Sequence, residues 1–585
     1  MKQIAIIVAL GLALIGGIVS KALADFTPVT FYVSPQGNDT NRGSTKDQPF
    51  ATLQKAVDSA AQASDPDGAM IFLAKGTYFA TEPIRIEKGS IALIGEGEES
   101  QPPEVTISSG RIITGFKEIE KGLVVVEIPD VKAGKWDFRD LYINGHRSTR
   151  ARSPNEGYFR VEKSGQDRRT NFTYNEGDLK KWKDLDSTGL GGVELVFLHD
   201  WSITRCPIKE IDETERRLTV PRRIGCDLEF FYIDQWEPHP RYFVENSIEF
   251  LDAPGEWFLD TQEGKLFYLL KEGETADTLE VIAPVATQLL LAEGTAEHPI
   301  EVSLRNIRFA YAAYVPKPEN TSWESQAASI SFPGGPGAGN FRASPAAVHF
   351  EYVSGGRIDN CLFEHLGENG LWLARGCSQT TVSRSVFRDI GANGVMVGTH
   401  NPAGTTVECT VEKSLVEKTG QTIFGAIGIW VGFAQKTDIN DNIIRNTPYG
   451  GISIGWQWNP RPTTTRENKI RNNLIYDCML TLADSGGIYT LGYHPESVIE
   501  GNIIHSIPNS AGNAESNGIF LDEGTKGFLI RKNTIFNTAQ SSIRAHRVDT
   551  NIVQDNILLN KPGVPTIRYN STPVENLALI DNRDF

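Results

Sequence analysis

The residues most able to do chemistry in this chain are three acids placed at the ends of short apolar runs. In N-G-I-F-L-D-E-G (517–524), Asp522 and Glu523 follow an alternating strand. In L-A-D-S-G-G-I-Y-T-L-G (482–492), Asp484 stands just before a glycine pair. Hydrolysis of a glycosidic bond needs two carboxyl groups, one protonated and one ionised. Asp484 with Asp522 is the favoured pair. Asp522 with Glu523, and Asp484 with Glu523, stand as alternatives, and each acid alone also reads as an ordinary turn or cap acid. No calcium-loop, H-E-x-x-H or C-x-x-C pattern is present, so the sequence names no metal and no cofactor.

A repeat must position these acids. Segments such as D-N-C-L-F (359–363), R-S-V-F (384–387), D-N-I-I (441–444), N-N-L-I (472–475) and K-N-T-I (532–535) recur at roughly 23–31 residues. Taken in order, their Asn or Ser residues are 360, 385, 414, 442, 473, 502, 533 and 556. A Gly-opened apolar strand lies between each pair. This pattern predicts an all-β right-handed parallel β-helix, in which stacked Asn side chains bond along the axis and each rung covers the one before. Asn442, Asn473, Asn502 and Asn533 are expected to point inward at one bend.

Aligning the second strand puts Leu371, Val395, Ile429, Ile452, Ile488, Ile519 and Ile543 inside. Alternation then turns Trp372, Met396, Trp430, Ser453, Tyr489, Phe520 and Arg544 outward. With His400, Trp456, Trp458, His494 and His546 nearby, the expected surface is a sugar-binding strip. Aromatic faces suit sugar rings, and charged edges suit hydroxyls. The alternative is that these aromatics pack beneath a covering segment. One difficulty is geometric: strict register sets Asp522 opposite Leu491, about 20 Å from Asp484 along a straight strand. A bend at Ser485-Gly486 is needed to join them.

Residues 1–24 read as a signal peptide: Lys2, an apolar run, then Ala22-Leu23-Ala24. The mature protein is expected to begin at Asp25 and to be extracytoplasmic, periplasmic or secreted, with no membrane attachment. Residues 25–119 give an amphipathic cap helix and the first rungs. Residues 120–290 change to longer alternating strands with hairpin turns, an inserted β-rich domain, and 291–585 form the main β-helix. The Gly/Pro-rich stretch 316–345 reads as a long loop that could cover the groove. Cys206 and Cys226 are close enough in sequence to pair in an oxidising compartment. A net charge of −16 argues against nucleic acid as partner.

Several segments resemble a known group: F-Y-V-S-P-Q-G-N-D (31–39), R-D-L-Y-I-N-G-H-R-S-T-R-A-R-S-P-N (139–155), R-Y-F-V-E-N-S-I-E-F (241–250), D-S-G-G-I-Y-T-L-G (484–492) and G-I-F-L-D-E-G (518–524). They resemble exported β-helix glycoside hydrolases of family 141 and, more distantly, family 120. The resemblance spans nearly the whole chain after residue 24. It implies a β-helix with an inserted β-sandwich-like domain, activity on α-L-fucosides or xylan, and catalytic aspartates matching Asp484 and Asp522. The family 120 pattern sets its second acid one rung later, where this chain reads Ser542-Ile543-Arg544-Ala545-His546. A family 120 mechanism is therefore not expected. Two rival readings remain: a β-helix polysaccharide lyase using Arg544, His546 and Arg547, and a non-catalytic glycan-binding protein.

Overall fold

The computed structural model describes residues 28–63, 67–179, 192–226, 231–314, 323–331, 341–509 and 515–585. The apolar N-terminal stretch and the Pro/Gly run 333–340 lie outside them. Among the described residues, three long sheets of 13, 11 and 12 strands run side by side, each strand pairing in parallel with the next rung. The fold is a right-handed parallel β-helix. Its inner columns are apolar because alternation sends every second side chain inward. Ile452, Ile488, Ile519 and Ile543 stack in register and are fully buried. Phe309, Phe363 and Phe387 form a second inner stack, with centroids 5.1 and 4.5 Å apart.

One turn of each rung is built by a two-residue device. A residue in the left-handed region comes first: Arg384, Lys413, Asp441, Asn472, Gly501, Lys532 and Asp555 all have φ between +49° and +68°. The ladder residue follows it. Asn442, Asn473, Asn502 and Asn533 each donate from Nδ2 to the next Asn Oδ1 at 2.9–3.0 Å, and the series continues through Asn556 to Asn582. The same oxygens accept a backbone N–H, and the second Nδ2 hydrogen reaches a backbone carbonyl, so each amide is satisfied although buried. The ladder reading needs one correction. Cys361, not Asn360, pairs with Ser385; Asn360 is the turn residue before it, at φ +52°. Asn is the commonest non-glycine visitor to that region, so the letter fitted either position.

The helix Leu53–Ala63 buries Leu53, Ala56, Val57 and Ala60 against the first rung. From Gly110–Ile113 to Val281–Pro284 the chain leaves the solenoid for antiparallel sheets. Trp323–Glu324, Ser329–Ser331 and Phe341–Ala343 then extend one of those sheets, Trp323–Glu324 pairing with Ile203–Pro207. The stretch expected to be a loop is thus partly strand. Edge hydrogen bonds to the insertion override the weak strand propensity of this Gly/Pro-rich stretch. No disulfide joins Cys206 and Cys226, which pack in different cores.

Candidate active site

Asp484 is set by its backbone before its side chain is considered. It sits in the left-handed region (φ +63°) at the corner before the strand Ser485–Thr490. Its N–H donates to the Glu515 carbonyl at 3.0 Å, and its own carbonyl accepts from the Tyr449 hydroxyl at 3.0 Å. The preceding Ala483 N–H donates to the Asp200 carbonyl of the inserted domain at 2.5 Å. Three elements therefore fix this one corner. Oδ1 of Asp484 lies 3.2 Å from Arg544 Nη1.

Asp522 follows the strand Ser516–Leu521 one rung on, and its N–H donates to the Thr490 carbonyl at 3.1 Å. It is 6% exposed. Its Oδ2 accepts from the Tyr489 hydroxyl at 2.5 Å, and its Oδ1 is hydrogen-bonded to His546 Nδ1 at 2.7 Å. Arg544 lies over the Phe520 ring, 4.3 Å from its centroid, and so spans from the Asp522 rung back towards Asp484. The ladder between the two acid-bearing strands pairs Ser485 with Ser516 and Gly486 with Asn517, then resumes at Ile488 with Ile519. The expected bend at Ser485-Gly486 is absent, since both residues lie in the paired strand. The left-handed corner falls one residue earlier, at Asp484, and the charge of Asp522 still acts on the Asp484 carboxyl.

The surroundings of Asp484 favour its protonated form. Burial pushes Asp484 up, and the charges of Asp522 and Asp200 add to this. Arg544 and His546 pull the other way, and the balance raises its pKa to about 7. The side chain is nonetheless 29% accessible, so solvent or a ligand can reach it. Burial first, then the neighbouring Asp522, keeps the Tyr489 hydroxyl protonated and available as a donor.

Glu523 does not join them. Its carboxylate is ion-paired with Arg547, a side chain 60% exposed, on the outer side of the turn. The expected open aromatic strip is also corrected. Trp430, Trp456, His400 and His494 are 0, 1, 6 and 1% exposed and cannot form an open groove. The segment hung from the inserted domain roofs the first three: Ser329 Oγ meets His400 Nε2 at 2.6 Å, and Phe341 packs edge-on to Trp456 and stacks on Trp458. His494 bonds the Leu491 carbonyl and stacks on Phe528. Trp458 is half-buried beside Tyr489, Leu491 and Phe520. Trp372 donates to the Gly398 carbonyl four rungs before Tyr489, about 19 Å away at the usual spacing. Of the strip, Tyr489, Arg544 and His546 meet the acids.

Sequence reasoning missed Tyr449, Asp200 and Glu515. Tyr449 precedes Gly450-Gly451 as Ser485 precedes Gly486-Gly487, so rung alignment held its signal. Asp200 comes from another domain and had none. Among the described residues, one group has ligand atoms close enough for a metal ion: Glu293, His349 and Glu351. Arg85 lies 3.2 Å from Glu293 and Arg375 lies 3.8 Å from Glu351, which already balances those charges.

Residues 122–271 match the family model of the GH141 insertion domain, and residues 403–582 match that of the right handed beta helix region. A solved structure titled "Glycoside hydrolase" is similar over 94% of this chain and 96% of its own, at TM-score 0.76 and 22% identity. The structure of XylC in complex with xylose is similar over 94% and 86%, at TM-score 0.51 and 12% identity. No curated protein matches. The chain is a right-handed parallel β-helix interrupted by a segment, residues 122–271, that matches the family 141 insertion domain.

Proposed function

We propose that this protein is an exported glycoside hydrolase in which Asp484 is the general acid and Asp522 the base or nucleophile. The observation that carries the reading is the unequal pair. One carboxyl group is raised to about 7 beside a second whose two oxygens are held by Tyr489 and His546. Asp484 then gives its proton to the leaving oxygen, and the carboxylate it becomes is met by the Arg544 guanidinium. Asp522 acts at the anomeric carbon, directly or through water, with its orientation fixed by its two hydrogen bonds. The resemblance to family 141 favours an α-L-fucoside or a xylan-type glycan as substrate, and the xylose-bound relative agrees with the second.

The test uses aryl glycosides. Asp484→Asn and Asp522→Asn should each lower kcat on the order of a hundredfold or more. With a leaving group that needs little protonation, Asp484→Asn should recover much of its rate and Asp522→Asn should not. The reverse pattern would exchange the roles, and near-wild-type rates in either variant would remove the pair. Unsaturated, ultraviolet-absorbing products from a uronic-acid polymer would instead identify a lyase.

A further inference from the structure

At the bend that opens each strand of the 11-stranded sheet, one column of residues repeats. It includes Asn369, Asn393, Gly450, Gly486, Asn517 and Ser541, tied rung to rung by backbone pairing. The first two asparagines are fully employed. Asn369 Nδ2 donates to the Ser344 carbonyl at 2.7 Å, and Asn393 Nδ2 to the Ala327 carbonyl at 2.8 Å, both in the stretch that roofs this face. Their oxygens accept from the next rung: Asn369 Oδ1 from Asn393, and Asn393 Oδ1 from the Ile427 N–H at 2.7 Å.

Asn517 has the same placement and none of these partners. It is 0% exposed, and neither its Oδ1 nor its Nδ2 has a hydrogen-bond partner among the described residues. A buried amide left in this way costs the fold the full desolvation of both groups. An apolar residue of similar size would avoid that cost, so its presence calls for another explanation. The surroundings supply one. Asn517 pairs with Gly486, two residues after Asp484, and stands two residues after Glu515, whose carbonyl holds the Asp484 N–H. Gly486 offers the amide no side-chain partner, and a Cβ there would lie only 2.6 Å from the Asn517 carbonyl oxygen, so the two rungs meet through their backbones.

We infer that the Asn517 carboxamide is a specificity-determining group that binds a hydroxyl of the sugar seated against Asp484. This rests on the glycosidase reading above. A carboxamide offers an acceptor and two donors in one plane, and a sugar hydroxyl is both donor and acceptor, so one side chain can engage one hydroxyl or two neighbouring ones. A buried polar group satisfied only by that hydroxyl rejects the deoxy analogue strongly, because rejection leaves the group unpaired again.

Asn517→Leu and Asn517→Ala are compared with the wild type in three measurements. These are the melting temperature without ligand, kcat/KM on para-nitrophenyl α-L-fucoside and β-D-xyloside, and the melting shift caused by L-fucose or D-xylose. The unliganded melting temperature of the Leu variant should be unchanged or raised. On the glycoside that the wild type cleaves, kcat/KM should fall on the order of a hundredfold, and the sugar-induced shift should vanish. A fall of several degrees with activity and sugar shift retained would make Asn517 a structural residue and overturn the inference. So would unchanged values throughout, or a sugar complex in which Asn517 bonds only ordered water. If the wild type cleaves neither glycoside, the glycosidase reading fails on its own. The sugar shift still decides here: present in the wild type and lost in the variants supports the inference, while equal in all or absent in the wild type overturns it.

Discussion

Asp484 is held between groups of opposite sign, which makes its titration adjustable from either side. Burial, Asp522 and Asp200 raise it, Arg544 and His546 lower it, and the buried Tyr449 and Tyr489 hydroxyls stay protonated beside it. Activity should therefore fall as pH rises through about 7, when the acid loses its proton. Arg544→Gln removes a cation that favours the carboxylate, so the basic limb of kcat/KM should move to higher pH. Asp200→Asn removes a repelling charge, so it should move to lower pH. Shifts in the same direction would refute this account of the site. Stability supplies a second check. The folded state keeps a proton that the unfolded chain gives up near 3.8, so stability falls as pH rises from there towards 7. Asp484→Asn should gain about 1–3 kcal/mol in urea unfolding near pH 8 and nothing near pH 3. The two aspartates were legible because each flanks a repeat strand, Asp484 just before one and Asp522 just after the next. Asp200 was not, because no local pattern links residue 200 to residue 484.

The strand-and-turn unit was the most legible part of the chain, because period-2 alternation and a repeated Asn survive without any tertiary information. Register was less so. Asn360 and Asn442 look alike in sequence, yet one is a left-handed turn residue and the other a ladder residue. The ladder should be energetically expensive to interrupt. Asn502 Oδ1 accepts from both the Asn473 N–H and the Asn473 Nδ2, while its Nδ2 donates to Ile470 and Asn533 oxygens. Asn502→Ala strands these groups in a dry interior and should cost about 3–5 kcal/mol, measured as a lower urea midpoint. Asn582, at the last rung, has a more open setting, and its Ala variant should cost less. Equal losses at the two positions would mean that the ladder is not what holds the rungs.

At the scale of the whole molecule, the inserted domain is the part that sequence reading could least place. It clamps onto the solenoid through Arg205, ion-paired with Glu245 and donating to the Thr422 carbonyl, and through Arg241, which donates to the Thr481 carbonyl. It also carries the roof that turned an expected open strip of aromatics into packed interior. Aromatics reported their apolar character faithfully, but what covered them is distant in the chain, as Ser329 is from His400 and Phe341 from Trp456. This burial has a pH consequence. His199 in the inserted domain, His400 under the roof and His494 between rungs are each lowered by burial, to about 3, 3 and 4. All three are neutral in the folded state. Below 6.5 the unfolded chain takes up protons that the folded chain refuses, so their contribution is complete above 6.5 and is lost as pH falls towards 3. Each removes up to about 1.4 kcal/mol per pH unit in that window. Asp484 acts in the opposite sense between 7 and 3.8, one group against three. Asp389, lowered to about 2 with Arg147 and His365 beside it, adds its loss only below 3.8. The melting temperature should therefore drop between about pH 6 and 4, well before the carboxylates titrate in bulk. His400→Gln should lower stability at neutral pH by disturbing the contact with Ser329, yet reduce the steepness of the acid decline. Equal steepness in variant and wild type would show that the roof opens to protons before the protein unfolds, and that His400 is not held neutral by it.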